Sequence, residues 1–141
     1  MLLKNAHLIS PGLVIEDGFV QIDDGLITKL GPMSELSDDS EGIDLEGNYL
    51  LPGFIDIHAH GADGCDVCDA STESLQHIAE KKLAEGVTTW LPTTLTQPKE
   101  KLREIVQTIA DWAGSAPIRV PGMHLEGPFI NRKQAGAQNP E

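Results

Sequence analysis

The chain has 141 residues, enough for one compact domain with a real core or for a piece of something larger. Acidic residues outnumber basic ones 22 to 10, giving a formal net charge of −12; such a surface repels polyanions and excludes nucleic acid as an expected partner. No extended apolar stretch opens the chain, so neither a signal peptide nor a membrane span is expected, and the cytoplasm is the default location.

Residues 2–9, 13–23, 26–30 and 43–51 are rich in β-branched and apolar side chains and read as short strands. Ser10-Pro11-Gly12, Asp24-Gly25, Gly31-Pro32 and Glu46-Gly47-Asn48 separate or punctuate them with turn chemistry. Residues 1–50 are therefore expected to form part of a small β-sandwich, incomplete without strands from elsewhere. The acidic run Ser37-Asp38-Asp39-Ser40-Glu41 is expected to be a solvated loop tip.

After Leu51 the period of the apolar residues changes. Leu75, Ile78, Ala79 and Leu83 follow helical spacing, with Ser71 or Thr72 as N-cap and Gly86 past the end. Residues 87–95 read as a strand whose ladder Pro92 should interrupt. Pro98 opens a second helix, with Leu102, Ile105, Val106, Ile109 and Trp112 on one face before Gly114. Residues 118–126 make a further strand. Strand, helix, strand, helix, strand is the parallel βαβ rhythm, the start of a barrel or an open sheet.

The chemistry concentrates at two strand ends. Leu51-Pro52-Gly53-Phe54-Ile55-Asp56-Ile57-His58-Ala59-His60-Gly61 places two histidines one residue apart at the end of an apolar run. Alternation along a strand sends both imidazoles to one side, where they can offer two neutral nitrogens to a divalent metal. Gly61 then lets the backbone leave the strand. In Gly122-Met123-His124-Leu125-Glu126-Gly127-Pro128-Phe129, Glu126 stands at another strand end before a Gly-Pro turn. Its carboxylate could be a ligand, a general base or a solvated anchor; beside His58 and His60, ligation is the better reading. His124 shares strand parity with Glu126 and is expected to pack against or support the ligands. His7 and His77 are expected at the surface. Cys65 and Cys68 have the C-x-x-C spacing of a redox pair or half a zinc site, but they fall in a polar loop, and two reduced thiols are expected there.

These motifs carry a resemblance. The segment from Pro52 to Gly61 resembles the first barrel strand of the amidohydrolase superfamily, shared with dihydroorotases, allantoinases and several deaminases. The segment His124-Leu125-Glu126-Gly127-Pro128-Phe129-Ile130-Asn131, continued by Gly136-Ala137-Gln138-Asn139-Pro140-Glu141, is similar more narrowly to N-acetylglucosamine-6-phosphate deacetylases. Those relatives typically use a modified lysine on a later strand where the deacetylases use this glutamate.

The resemblance implies an α/β fold: the N-terminal part of a metal-dependent (β/α)8 barrel over residues 51–141, preceded by the partial sandwich. A complete barrel needs roughly 250 residues, so the chain is expected to be an N-terminal fragment, inactive alone. It further implies hydrolysis of N-acetylglucosamine 6-phosphate to glucosamine 6-phosphate and acetate in amino-sugar catabolism, by a homodimer in the complete enzyme. The implied metal ligands here are His58, His60 and Glu126. One or two divalent ions would bind, zinc first, with iron or another divalent ion as the alternative. The remaining histidine ligands, the catalytic aspartate and a phosphate-binding arginine are expected beyond Glu141. Some members lack the His-x-His pair and bind one metal; having it allows a second. Ala137 and Gln138 match a sugar-contacting loop. The second position is usually His in the family, and Gln can hydrogen-bond a hydroxyl but cannot shuttle a proton. A dihydroorotase-like or deaminase-like amidohydrolase and a non-catalytic metal-binding module are the competing readings.

Overall fold

The structure, a computed structural model, describes residues 1–37 and 41–140. Residues 38–40, the middle of the acidic run expected as a loop tip, and Glu141 lie outside the described residues. The chain divides into two compact units, Met1–Pro52 and Gly53–Glu141.

In the first unit, β1 (Leu2–Ser10), β2 (Leu13–Asp23) and β3 (Leu26–Pro32) form an antiparallel meander. The β2–β3 connection is Asp24-Gly25, both at positive φ (51° and 77°), the backbone a tight hairpin needs to match strand twist. β4 (Ile43–Asp44) and β5 (Tyr49–Leu50) both pair in parallel with β1, giving one five-stranded sheet among the described residues. The single strand expected over 43–51 is thus split. Glu46 and Gly47 turn at positive φ, while Leu45 and Gly47 still donate their amides to the Lys4 and Asn5 carbonyls of β1. Ala6, Leu8, Phe19 and Val20 are buried on this sheet.

In the second unit, β6 (Phe54–Ala59) leads into a small hairpin of β7 (Gly61–Ala62) and β8 (Cys65–Asp66). α1 (Thr72–Ala84), β9 (Val87–Thr94), α2 (Lys99–Trp112) and β10 (His124–Leu125) follow. The sheet order is β10-β9-β6, all parallel, so each helix is a crossover between neighbouring strands. Ser71 is the N-cap of α1, its hydroxyl accepting from the Ser74 amide at 3.2 Å, and Gly86 closes the far end at φ 86°. Leu75, Ile78 and Ala79 of α1 and Leu102, Ile105, Ile109 and Trp112 of α2 pack with Val87, Trp90 and Ile118 into one core.

Four further expectations are corrected. Leu83 and Val106 are exposed (44% and 39%), and Lys82 takes the buried place on α1 instead. β9 continues through Pro92, because its pairing with β6 is irregular there and the Ala59 amide turns to the Thr93 hydroxyl at 3.1 Å. The strand expected over 118–126 shrinks to β10, with Arg119 alone exchanging backbone bonds with Thr88 and Trp90. Pro121 has no amide to donate and Gly122 adds no side chain to pack, which ends the ladder between them. Finally, His7 is half-buried, its ring 4.8 Å from that of Tyr49. Among the described residues no helix is long and apolar enough to cross a membrane.

Candidate metal centre

His58 is the penultimate residue of β6, His60 follows that strand, and Glu126 follows β10. The structure brings all three together: His60 Nε2 lies 2.9 Å and His58 Nε2 3.4 Å from Glu126 Oε2. One ligating atom from each lies within 4.8 Å of the others. The strands β6 and β10 flank β9 on either side, which is how residues so distant in sequence meet.

A register shift aims the histidines. Asp56 pairs with Trp90 and Ala59 with Pro92, so three steps along β6 span two along β9. That is the count of a β-bulge, which re-aims the residues after it. Asp56 reaches Lys82 of α1, and Ala59 packs against the helix-covered core, so both sit on the helix side. His58 and His60 flank Ala59 and meet Glu126 instead. In an unbulged strand His58 would share the face of Asp56.

Hydrogen bonds orient both rings. His60 Nδ1 lies 3.2 Å from the Thr93 carbonyl oxygen, which can only accept, so Nδ1 carries the proton and the neutral ring leaves an Nε2 lone pair toward Glu126. His58 Nδ1 lies 3.2 Å from His124 Nδ1, so one of the two donates to the other. His124 thus supports His58, in line with its expected role beside the ligands. Asp56 accepts from the His58 amide at 3.0 Å and from Lys82 Nζ at 2.7 Å. Burial pushes the Asp56 carboxyl up, but these two hydrogen bonds and the lysine's charge outweigh it and hold it below its ordinary value.

The donors fit a metal. Glu126 Oε2 is buried and accepts no hydrogen bond, although two imidazole nitrogens converge on it. Metal bonds of about 2.0–2.2 Å set ligand atoms roughly 3–4 Å apart, which is the spacing of both histidine nitrogens from this oxygen. Two nitrogens and a carboxylate suit zinc or iron better than calcium or magnesium.

Other expected residues lie apart from this cluster. Cys65 and Cys68 are free thiols and are not among the three residues whose atoms converge. Cys68 Sγ accepts from the Leu95 amide at 3.3 Å, and burial, reinforced by Asp66, pushes its thiol pKa up. Ala137 is exposed, and Gln138 is half-buried with Oε1 accepting from the Thr96 amide at 2.7 Å. His77, also expected at the surface, is half-buried like His7 and is paired with Asp63 at 3.2 Å. Thr93, Asp56 and Lys82 were not singled out in the sequence. Lys82 carried a readable signal: it completes the i, i+3, i+4, i+7 spacing of Leu75, Ile78 and Ala79, an apolar-face position for a charge.

Comparison with known proteins places the chain. The model of the amidohydrolase family matches residues 49–140. The chain belongs to the amidohydrolase family. Its curated amidohydrolase relatives include the N-acetylglucosamine-6-phosphate deacetylase of Bacillus subtilis, 34% identical over 100% of this chain and 37% of the relative. The N-acetylgalactosamine-6-phosphate deacetylase of Escherichia coli O157:H7 is also 34% identical, over 99% of this chain and 36% of the relative. Among solved structures, the N-acetylglucosamine-6-phosphate deacetylase of Pasteurella multocida superposes with a TM-score of 0.86 at 27% identity, over 98% of this chain and 37% of that one. The Mycobacterium smegmatis deacetylase, solved as a mutant with N-acetyl-D-glucosamine-6-phosphate, gives 0.82 at 25% identity, over 99% and 36%. This amidohydrolase chain therefore spans little more than a third of the relatives it matches.

Proposed function

We propose that the chain is the N-terminal portion of a metal-dependent N-acetylglucosamine-6-phosphate deacetylase, which releases acetate and leaves glucosamine 6-phosphate. The observation that carries this is the convergence of His58, His60 and the orphaned Glu126 oxygen in a chain similar throughout to deacetylases. In this reading residues 1–50 belong to a β-sandwich domain and residues 51–141 are the first βα units of a (β/α)8 barrel. The order β6, α1, β9, α2, β10 supports the barrel assignment, since strand C-termini are where barrel enzymes carry their chemistry. Zinc is the first choice of metal, in one or two positions. The complete enzyme would be a cytoplasmic homodimer.

His58, His60 and Glu126 would hold the ion. When bound, a divalent ion polarises the amide carbonyl and activates the water that attacks it. The remaining work falls to protein groups. Thr93 fixes the tautomer of His60, leaving its Nε2 lone pair to donate. His124 holds the His58 ring from behind. Ala137 and Gln138 contact the sugar: with Oε1 committed to the Thr96 amide, Gln138 has only its Nε2 hydrogens to offer, so it donates to a sugar oxygen.

The experiment is acetate release from N-acetylglucosamine 6-phosphate by the polypeptide in which this chain is continued through the rest of the barrel. Turnover there, with none from the 141-residue chain alone, is the expected result. A complete protein that leaves this substrate intact and hydrolyses a cyclic amide or deaminates a base refutes the proposal. The galactosamine epimer belongs in the same assay, because a relative with that name is equally identical.

A further inference from the structure

The ion pair between Asp56 and Lys82 lies on the helix side of the sheet, away from the converging ligands, with Lys82 buried and Asp56 half-buried. Lys82 is 8% exposed, and its ammonium meets Asp56 Oδ2 at 2.7 Å. Burying the lysine of such a pair has a desolvation cost that offsets much of its attraction, so stability alone is a weak reason for it. Its second oxygen indicates a purpose. Asp56 Oδ1 accepts from the His58 amide at 3.0 Å, within the stretch where β6 carries one residue more than β9. Bulged residues lose their cross-strand partners, and here a side chain replaces the missing acceptor.

We propose that Asp56 and Lys82 are positioning residues: a strut from α1 that holds the β6 bulge closed and thereby sets both His58 and His60 at ligating distance from Glu126. The inference rests on the metal-ligand reading of those three residues and adds to it the device that aims them. Lys82 fixes one carboxylate oxygen, which leaves the other in place for the His58 amide. Thr93 works from the opposite strand, its hydroxyl taking the Ala59 amide and its carbonyl facing His60. The bulge is therefore held at both of its ends. Without the strut, the strand is free to return to even pairing, which would turn His58 toward the helix side.

The test measures Zn2+ affinity by calorimetric titration of the polypeptide continued through the rest of the barrel and of its variants, with thermal unfolding followed on each. Asp56→Ala and Lys82→Met should each weaken Zn2+ binding by about 10–100-fold, the usual effect of losing an orienting partner of a ligand. The double variant Asp56→Asn with Lys82→Met should recover to within about threefold of the unaltered polypeptide. In it the Asn oxygen serves the His58 amide and no lysine competes for it. Asp63→Ala, which breaks the exposed pair with Lys81 elsewhere on α1, should leave affinity unchanged. A purely structural pair would shift the unfolding temperature while every folded variant bound Zn2+ equally, and that result overturns the strut. If Asp56→Ala does not fold, Lys82→Met against the double variant decides the question. Failure of the unaltered continued polypeptide to bind Zn2+ rejects the ligand assignment itself, and the strut with it. Binding that is lost in Glu126→Gln but intact in Lys82→Met rejects the strut alone.

Discussion

His60 turns toward Glu126 the ring nitrogen opposite the one that Thr93 holds. Its Nδ1 donates to the Thr93 carbonyl at 3.2 Å, and its Nε2 stands 2.9 Å from a buried carboxylate oxygen that accepts no hydrogen bond. With the ring neutral, two lone pairs face one another and repel, and an unsatisfied buried acceptor costs about 1–3 kcal/mol. A divalent cation shared by the two groups removes both penalties.

Glu126→Gln should therefore abolish stoichiometric zinc or iron binding. Gln keeps the shape of the side chain but loses the anionic oxygen on which the two imidazoles converge. His58→Ala should cost less, because His58 Nε2 is the more distant nitrogen, at 3.4 Å, and is exposed. Elemental analysis of both purified proteins checks this. Full occupancy in Glu126→Gln removes the glutamate from the ligand set.

Thr93→Val should destabilise the protein by about 1–3 kcal/mol, since it leaves the Ala59 amide without its acceptor in a part-buried strand. Val matches the shape of Thr, so little of the loss can come from packing. Thr93→Ser should restore most of it by returning the hydroxyl, at the smaller cost of one buried methyl. Urea unfolding midpoints of the two variants separate these effects, and a larger loss in Thr93→Ser than in Thr93→Val would show that the methyl, not the hydroxyl, matters.

The contrast between these residues explains what the sequence could reveal. His58, His60 and Glu126 were legible because each is an ionisable side chain at the end of an apolar run, a local pattern. Ser71, Gly86 and the buried face of α2 were legible for the same reason, since caps and helical spacing are set within a few residues. The bulge in β6 was not, because it exists only in the count of residues facing β9. Lys82 was passed over in favour of Leu83, as its partner Asp56 lies 26 residues away on another element. Pro92 misled in the opposite direction: proline forbids a regular ladder, and the ladder here is irregular where it falls. Gly61 went beyond its reading as a strand exit, since a Cβ there would overlap the Cys65 carbonyl across the hairpin.

The cysteines should prove dispensable for the metal. The double variant Cys65→Ser with Cys68→Ser should keep its zinc, because neither sulfur joins the converging atoms. Burial raises the Cys68 pKa, so its thiolate, the form that binds metals and reacts with alkylating agents, is scarcer at a given pH than for an open thiol. Alkylation of Cys68 by iodoacetamide, followed by mass spectrometry, should accelerate only above the pH range of an ordinary cysteine. Loss of zinc from the double variant with the fold intact by circular dichroism would favour a mixed Cys and His site.

Asp63 gives the clearest pH signature away from the metal ligands. At the tip between β7 and β8 its Oδ2 receives Lys81 Nζ at 2.9 Å and His77 Nε2 at 3.2 Å, both from α1. These hydrogen bonds, Lys81 first, hold its pKa below the ordinary value, and the same contact raises that of Lys81. A carboxylate lowered on folding adds stability above its unfolded pKa of about 3.9, and that contribution fades as pH falls through the lower folded value. Asp63 and Lys81 are exposed, so the effect on stability should be small and should shrink with added salt. The site-specific measurement is the carboxyl carbon shift of Asp63 by NMR as pH is lowered. Lys81→Met should move that midpoint upward, toward the value of an open aspartate. His77→Gln should move it less, because the histidine contact is the longer of the two. A midpoint that ignores the loss of Lys81 would mean the hairpin tip is not tied to α1 in solution.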